Sequence, residues 1–327
     1  VANLKTRYMG LEIDSPLVAG SSGLTRDAAG VARLEGAGIG AVVLKSIFEE
    51  QVTHEVDGMA GPGTGVDAHP EAAEYIRAYG TAHAEENYLE RITESVAAVR
   101  IPVIASIHCV QAGKWVDFAR KAQQAGASGI ELNVFVPPFD ASVDGRQIEQ
   151  LYIDIADSVR RVVTVPVSMK IGYHFTGMAN FLKALSGHVD ALVLFNRFFR
   201  MTIDTETMKL VPSVPYSEKH EHEISLRWVS GLFGVLGCDI AASTGINSAD
   251  VAVKMILAGA SAVQVSSVLY QGGVDSVGTI NKGIAEWMDR HGFSSIEDFR
   301  GSVSRNYSTN QSQFDRVQFM KFSVGHE

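Results

Sequence analysis

Cysteine is nearly missing from this chain of 327 residues: only Cys109 and Cys238 occur, with no C-x-x-C spacing, so a disulfide scaffold is excluded. Each lies in an apolar run, where a packed, reduced thiol is expected. Long hydrophobic runs are missing too. No stretch approaches the ~18 apolar residues of a membrane span, and the opening VANLKTRYMG has no apolar signal region; the expectation is a soluble, cytoplasmic protein with no membrane partner. Positive charge is short: 28 Lys and Arg stand against 37 Asp and Glu, a net −9 with no basic cluster. Such a field repels phosphate backbones, which argues against nucleic acid as a partner. No G-x-G-x-x-G follows the first apolar run, so a Rossmann domain has no support.

What the chain does have is eight short, nearly continuous apolar runs, at 16–20, 40–46, 102–108, 129–134, 165–171, 191–196, 238–243 and 262–267. Continuous rather than alternating apolarity marks parallel strands covered on both faces. Between them run stripes at helical spacing: Leu89, Ile92, Val96, Val99; Trp115, Phe118, Ala119, Ala122; Ile148, Leu151, Tyr152, Ile155; Met178, Phe181, Leu182, Leu185; and Ile280, Ile284, Trp287, Met288, closed by Gly292. Eight β/α units in unbroken order predict an α/β fold, a single (β/α)8 TIM barrel over 1–327 with a short polar tail after about 301. Two connections, 47–87 and 197–222, are too long for plain βα loops and are expected to form lids, a small hairpin or an oligomer contact on the active-site face. The SSIEDF segment places Ser294 and Glu297 at capping-box spacing.

Polar residues at the outgoing ends of barrel strands point into the site. In order they are Ser21 and Ser22; Lys45 and Ser46; His108; Asn133; Lys170; Asn196 and Arg197; Ser243, Thr244 and Gly245; and Ser266 and Ser267. Lys45 and Lys170 sit inside apolar runs, where a buried ammonium requires an anion. No acid adjoins either lysine in sequence, so an anionic ligand is the expected partner, with distant Asp or Glu side chains as the alternative. The small residues after the seventh and eighth runs, followed by the helix start INSAD, suit a phosphate. His220 and His222, in the charged run KHEHE, read as solvated, and no metal-ligand set is found.

With those residues in place, the chain resembles the dihydroorotate dehydrogenase family of FMN-binding barrels, which includes the C-terminal domain of dihydropyrimidine dehydrogenase. The resemblance runs in order through SPLVAGSSG, LKS, SIHC, ELN, MKI, ASTGI and VQVSS to DFRG. It implies FMN as cofactor. Gly20, Ser21, Lys45, Ser46, Asn133, Lys170 and Asn196 would lie around the isoalloxazine, and Ser243, Thr244, Gly245, Ser266 and Ser267 would hold the phosphate. Lys45, Asn133, Asn196 and Arg197 would meet an anionic, pyrimidine-like substrate. The implied activity is oxidation of dihydroorotate to orotate in pyrimidine biosynthesis, with hydride passing to flavin N5.

Three stretches depart from the family: no N-x-x-G-L substrate loop is recognisable in 47–70, a paired glycine turn at ASTGI has become Thr244-Gly245, and the third bears on catalysis. After ELN comes a run in which a Cys or Ser serves as base and a second Asn holds the pyrimidine; here Val134, Phe135, Val136, Pro137 and Pro138 stand instead. Valine at 136 cannot accept a proton. A replacement base is therefore sought among His54, His108, Cys109, Tyr173 and His174, with Lys45, His108 and Cys109 the catalytic candidates. Three alternatives stay open: an FMN oxidoreductase with another substrate, a Schiff-base aldolase using Lys170, or a non-catalytic flavin-binding partner subunit. A homodimer is expected from the long acidic loops, and the electron acceptor is not disclosed by the sequence.

Overall fold

In a computed structural model of the protein, the described residues are 2–48, 70–108, 112–197 and 200–308, together with Gln311 and Asp315. Two short strands, β1 (Thr6–Tyr8) and β2 (Leu11–Ile13), form an antiparallel hairpin. Then come the barrel strands β3 (Leu17–Ala19), β4 (Ala41–Val43), β6 (Val103–His108), β7 (Gly129–Asn133), β8 (Val167–Ile171), β9 (Ala191–Leu194), β12 (Asp239–Ala242) and β13 (Ala262–Val265). These eight are parallel and pair in sequence order, and β13 pairs with β3 to close the cylinder. A two-residue strand, β5 (Ile47–Phe48), extends the rim beside β6. All eight predicted runs thus become strands, each within a few residues of its expected ends.

The helices form the outer layer: α1 (Ala28–Gly36), α2 (Pro70–Ala98), α3 (Ala112–Gln124), α4 (Gly145–Arg160), α5 (Met178–Leu185), α6 (His222–Leu232), α7 (Ala249–Ala258), α8 (Ser267–Gly272) and α9 (Ser276–His291). Their stripes face the sheet as expected, with one exception. Leu151 of α4 is exposed, while Ile148, Tyr152 and Ile155 are buried, so the stripe is narrower than the spacing suggested. Ser248 caps α7 by accepting from the Val251 amide, and Gly292 ends α9 in the left-handed conformation at φ 74°.

Two expectations need correction. Residues 70–87 are not loop: they belong to α2, whose 29 residues begin at Pro70, where a missing N–H costs nothing. Residues 49–69 lie outside the described residues. The capping box near 295 is set one residue on from the expected pair, with Ser295 at the cap and Asp298 at its third position, because Asp298 accepts from the amides of both Ser294 and Ser295. The second long connection does contain a hairpin, β10 (Met201–Asp204) with β11 (Lys209–Pro212).

Which residues fill the barrel follows from the register. Ser168 and Lys170 pair with Ala191 and Val193, and the latter two belong to an inner cluster with Val18, Ala41, Val43, Ile104, Ala241 and Ala262. Small side chains leave room on the axis, and the β1–β2 hairpin fills it from below with Tyr8 and Met9. The turn needs left-handed backbone at Met9 and Gly10, and Asp239 fixes it by accepting from the Met9 amide at 2.8 Å. Above this plug lies a layer that is polar rather than apolar: Ser106, Glu131 and Ser168 are side by side in register on β6, β7 and β8. Among the described residues no helix is long and apolar enough to cross a membrane.

Candidate active site

Because all eight strands run the same way, their last residues share one rim. Ser21, Lys45, Ser46, His108, Asn133, Lys170, Asn196, Ser243, Thr244 and Ser266 all lie there, on β-strand ends or within three residues of them. On one side, hydroxyls link the first three strands. Ser21 Oγ accepts from the Ser46 amide at 2.8 Å and lies 3.0 Å from Ser46 Oγ, which in turn lies 2.6 Å from Ser106 Oγ. Tyr88 of α2 locks that corner, donating to the Ser106 carbonyl and accepting from its amide. Burial raises the Tyr88 hydroxyl far above its ordinary range, which keeps it a neutral donor.

Across the rim, Asn196 Nδ2 donates to Asn133 Oδ1 at 2.6 Å, which leaves the N–H groups of Asn133 for a ligand. His108 Nδ1 is 2.7 Å from the Asn133 carbonyl, which only accepts; that nitrogen therefore carries the proton, and Nε2 is the basic one in the neutral ring.

The lysines differ from each other. Lys45 is exposed, so its charge is solvated and demands no anion, contrary to its setting in an apolar run. Lys170 is partly exposed by surface area, yet its ammonium end is desolvated, and burial pushes its proton affinity down. Its partner was missed in the sequence. Lys170 Nζ donates to Gln264 Oε1 at 2.9 Å, and Gln264 Nε2 donates to Glu131 Oε2 at 2.5 Å. Glu131 is 1% exposed and its Oε1 has no hydrogen-bond donor among the described residues. Burial pushes the carboxyl up, and the Lys170 charge and the Gln264 amide pull it back. The alternative of a distant acid is thus realised for Lys170. The available signal was a charged residue in the middle of a fully buried strand, GIELN.

Past the seventh strand, Thr244 and Gly245 both adopt left-handed backbone, at φ 76° and 73°. Thr244 Oγ1 donates to the Phe195 carbonyl, and the N–H groups of Thr244, Gly245 and Ile246 meet no acceptor among the described residues. Gly245 is obligatory, since a Cβ there would lie 2.4 Å from the His222 amide nitrogen. Gly20 also lies close to the eighth strand's end: a Cβ there would lie 2.7 Å from Ser266 Oγ. Ser267 Oγ accepts from the Ser217 amide, and this joins the long 197–222 connection to the eighth strand.

Arg197, expected to meet substrate, is fully engaged elsewhere. Its guanidinium grips Glu221 through two nitrogens at 2.9 and 3.0 Å and donates to the carbonyls of Val214 and Pro215. Together with Asn196, Tyr173, Phe195 and Thr244, this pair lines a cavity of about 290 Å³ beside the rim. Val136 packs half-buried against the core, its amide donating to Tyr152 Oη at 3.1 Å. His174 stands between Phe135 and Tyr173, and burial lowers its proton affinity. His220 pairs with Glu223 on the surface at 3.4 Å, and His222 Nδ1 donates to the Lys219 carbonyl. Cys109 and His54 lie outside the described residues. Among the described residues no group of three or more His, Cys, Asp or Glu could hold a metal ion.

Comparison with known proteins decides the family. The profile of the dihydroorotate dehydrogenase family matches residues 3–288. The chain belongs to the dihydroorotate dehydrogenase family. It is similar to the catalytic subunit of dihydroorotate dehydrogenase B (NAD(+)) of Thermoplasma acidophilum, with 29% identity over 93% of this chain and all of that one. The corresponding subunit of Methanosarcina mazei is 30% identical over 89% of this chain and 92% of its own. An Aeropyrum pernix protein with the provisional name dihydroorotate dehydrogenase A (fumarate) is 31% identical over 72% of this chain and 79% of its own. An oxidoreductase is what this family membership implies. The cofactor typical of the family is FMN, and the donor set fits it: a lysine and two carboxamides for an acceptor-rich ring edge, unpaired backbone N–H groups for a phosphate.

Proposed function

We propose that this protein is an FMN-dependent oxidoreductase acting on a CH–CH bond of a small planar substrate, with dihydroorotate the first substrate to test. The observation that carries the reading is the convergence of Lys170, Asn133 and Asn196 at one strand-end rim in a chain matched to the family over 3–288. FMN, when bound, supplies the hydride acceptor at N5. In this reading Lys170 places positive charge beside the pyrimidine edge of the ring, where reduction builds negative charge. Asn133 and Asn196 orient ring and substrate, and the amides of Thr244, Gly245 and Ile246 hold the phosphate with Ser243, Ser266 and Ser267. Gly20, Ser21 and Ser46 would lie against the ring, and the exposed Lys45 would meet the substrate. His108 is the best-placed base among the described residues, since its Nδ1–H is already committed to the Asn133 carbonyl.

A second reading, in which the substrate is not dihydroorotate, is favoured by Val136, Pro137 and Pro138 where the family has its base and second amide, and by the engagement of Arg197 with Glu221. The relatives' names divide between NAD(+) and fumarate as acceptor, so both are carried into the assay. The test is anaerobic addition of dihydroorotate to the flavin-loaded protein. Bleaching of the flavin absorbance supports the named activity. Absence of bleaching, with dithionite still reducing the flavin, selects the second reading. Failure to bind flavin at all overturns both and leaves the Lys170 aldolase, detected by borohydride trapping with a ketone.

A further inference from the structure

Glu131 has no place in the reading above, and its setting is unusual for a carboxylate. It lies within the cylinder on β7, between Ser106 and Ser168 in register, with Gln264 reaching it from β13. The titratable groups that face it are Lys170 from β8, Tyr8 from the plug below and Tyr88 from α2. Both tyrosines are held neutral by burial, so Lys170 is the one cation acting on Glu131 among the described residues.

Gln264 makes the link directional. An ammonium donates only, so the amide must turn Oε1 to Lys170; Nε2 then needs an acceptor, which an ionised carboxylate supplies and a protonated one at that oxygen does not. The chain Lys170–Gln264–Glu131 therefore accommodates a charged lysine together with an ionised glutamate, the ammonium donating to Gln264 Oε1 and the carboxylate accepting from Nε2. It draws on three strands that are distant in sequence, so it forms only when the barrel closes.

We propose that Glu131 is a positioning residue for Lys170: acting through Gln264, it keeps the lysine protonated and aimed at the rim before any ligand arrives. It goes beyond the proposed function and needs that reading only for the identity of the ligand. Without Glu131 the desolvated ammonium would have no counter-charge among the described residues, and a proton would leave it far more readily. A pocket whose lysine is neutral would bind an acceptor-rich ring less well and would lack the charge that favours its reduction.

The test uses the full chain free of flavin. Lysines are converted to their ¹³C-dimethyl forms, the Lys170 signal is assigned by its loss in Lys170→Arg, and its shift is followed against pH. In the unsubstituted protein Lys170 should stay charged through pH 8. In Glu131→Gln, which keeps shape and can still accept from Gln264, its proton affinity should fall about tenfold or more. A neutral Lys170 at pH 7 in the unsubstituted protein overturns the proposal, and that measurement needs no variant to fold. An unchanged titration in folded Glu131→Gln also overturns it, whereas a merely structural role for Glu131 would leave the lysine's titration where it was. Because flavin is absent throughout, a protein that never takes up FMN would end the proposed function and leave this result standing.

Discussion

Replacing Lys170 by methionine keeps most of the side-chain volume and removes one charge from the Lys170–Gln264–Glu131 chain. Glu131, 1% exposed, then loses its one nearby cation and keeps only the Gln264 amide as hydrogen-bond donor among the described residues. Removing one partner of a buried pair costs about 3–5 kcal/mol, but the carboxyl has an escape, which is to take up a proton. Holding that proton costs about 1.4 kcal/mol for each pH unit above the unfolded carboxyl's ~4.3, hence about 3.7 kcal/mol at pH 7 and about 1 kcal/mol at pH 5. The sign follows from the raised carboxyl. Its folded form holds a proton that the unfolded chain releases, so stability is fullest below the unfolded value and drains away as pH rises. Lys170→Met should therefore lose much more stability at pH 7 than at pH 5, and Lys170→Met with Glu131→Gln should recover most of the pH 7 loss. Urea midpoints of the apoprotein at the two pH values, for the single and double variants, measure this. An equal loss at both pH values, or a double variant no more stable than Lys170→Met, would refute the coupling.

Other outcomes follow from geometry elsewhere. Gly245→Ala puts a Cβ 2.4 Å from a backbone nitrogen at φ 73° and should cost about 2 kcal/mol or more with a clear loss of FMN affinity; thermal melts and flavin titration check both, and an unperturbed melt would contradict the close approach. Val136→Cys should give or raise dihydroorotate turnover if the missing base is the main obstacle, whereas no gain on a fully flavin-loaded variant would locate the divergence in the substrate pocket as well. Burial pushes the Cys238 thiol up to about 12, so at pH 8 a thiol reagent should label its peptide only after unfolding, and rapid native labelling would show the site to be open.

How much of this was legible beforehand depends on where the information lies. The eight strands were readable because each is apolar on both faces, a local property of runs such as VVL at 42–44 and ALVL at 191–194. The rim was readable because one polar residue after such a run is conspicuous, as with Asn133 and Asn196. Glu131 and Gln264 were not, since each sits mid-strand and their meaning arises only when β7, β8 and β13 close on one axis. Lys45 misled for the opposite reason: its apolar neighbours are buried, yet its own side chain reaches solvent past the end of β4. The helix from Pro70 was lost because GPGTGVDAHP ahead of it reads as loop and carried EAAEYIRAY with it. Tyr8 and Met9 gave no warning as a plug, because three-residue strands are too short to show a period.

The central claim is that this rim holds flavin mononucleotide, and calorimetric titration of FMN into the apoprotein tests it most directly. One FMN bound per chain, with binding lost or strongly weakened in Lys170→Met, is the predicted result. No heat of binding and no retained flavin after gel filtration of the folded, unsubstituted protein would contradict it.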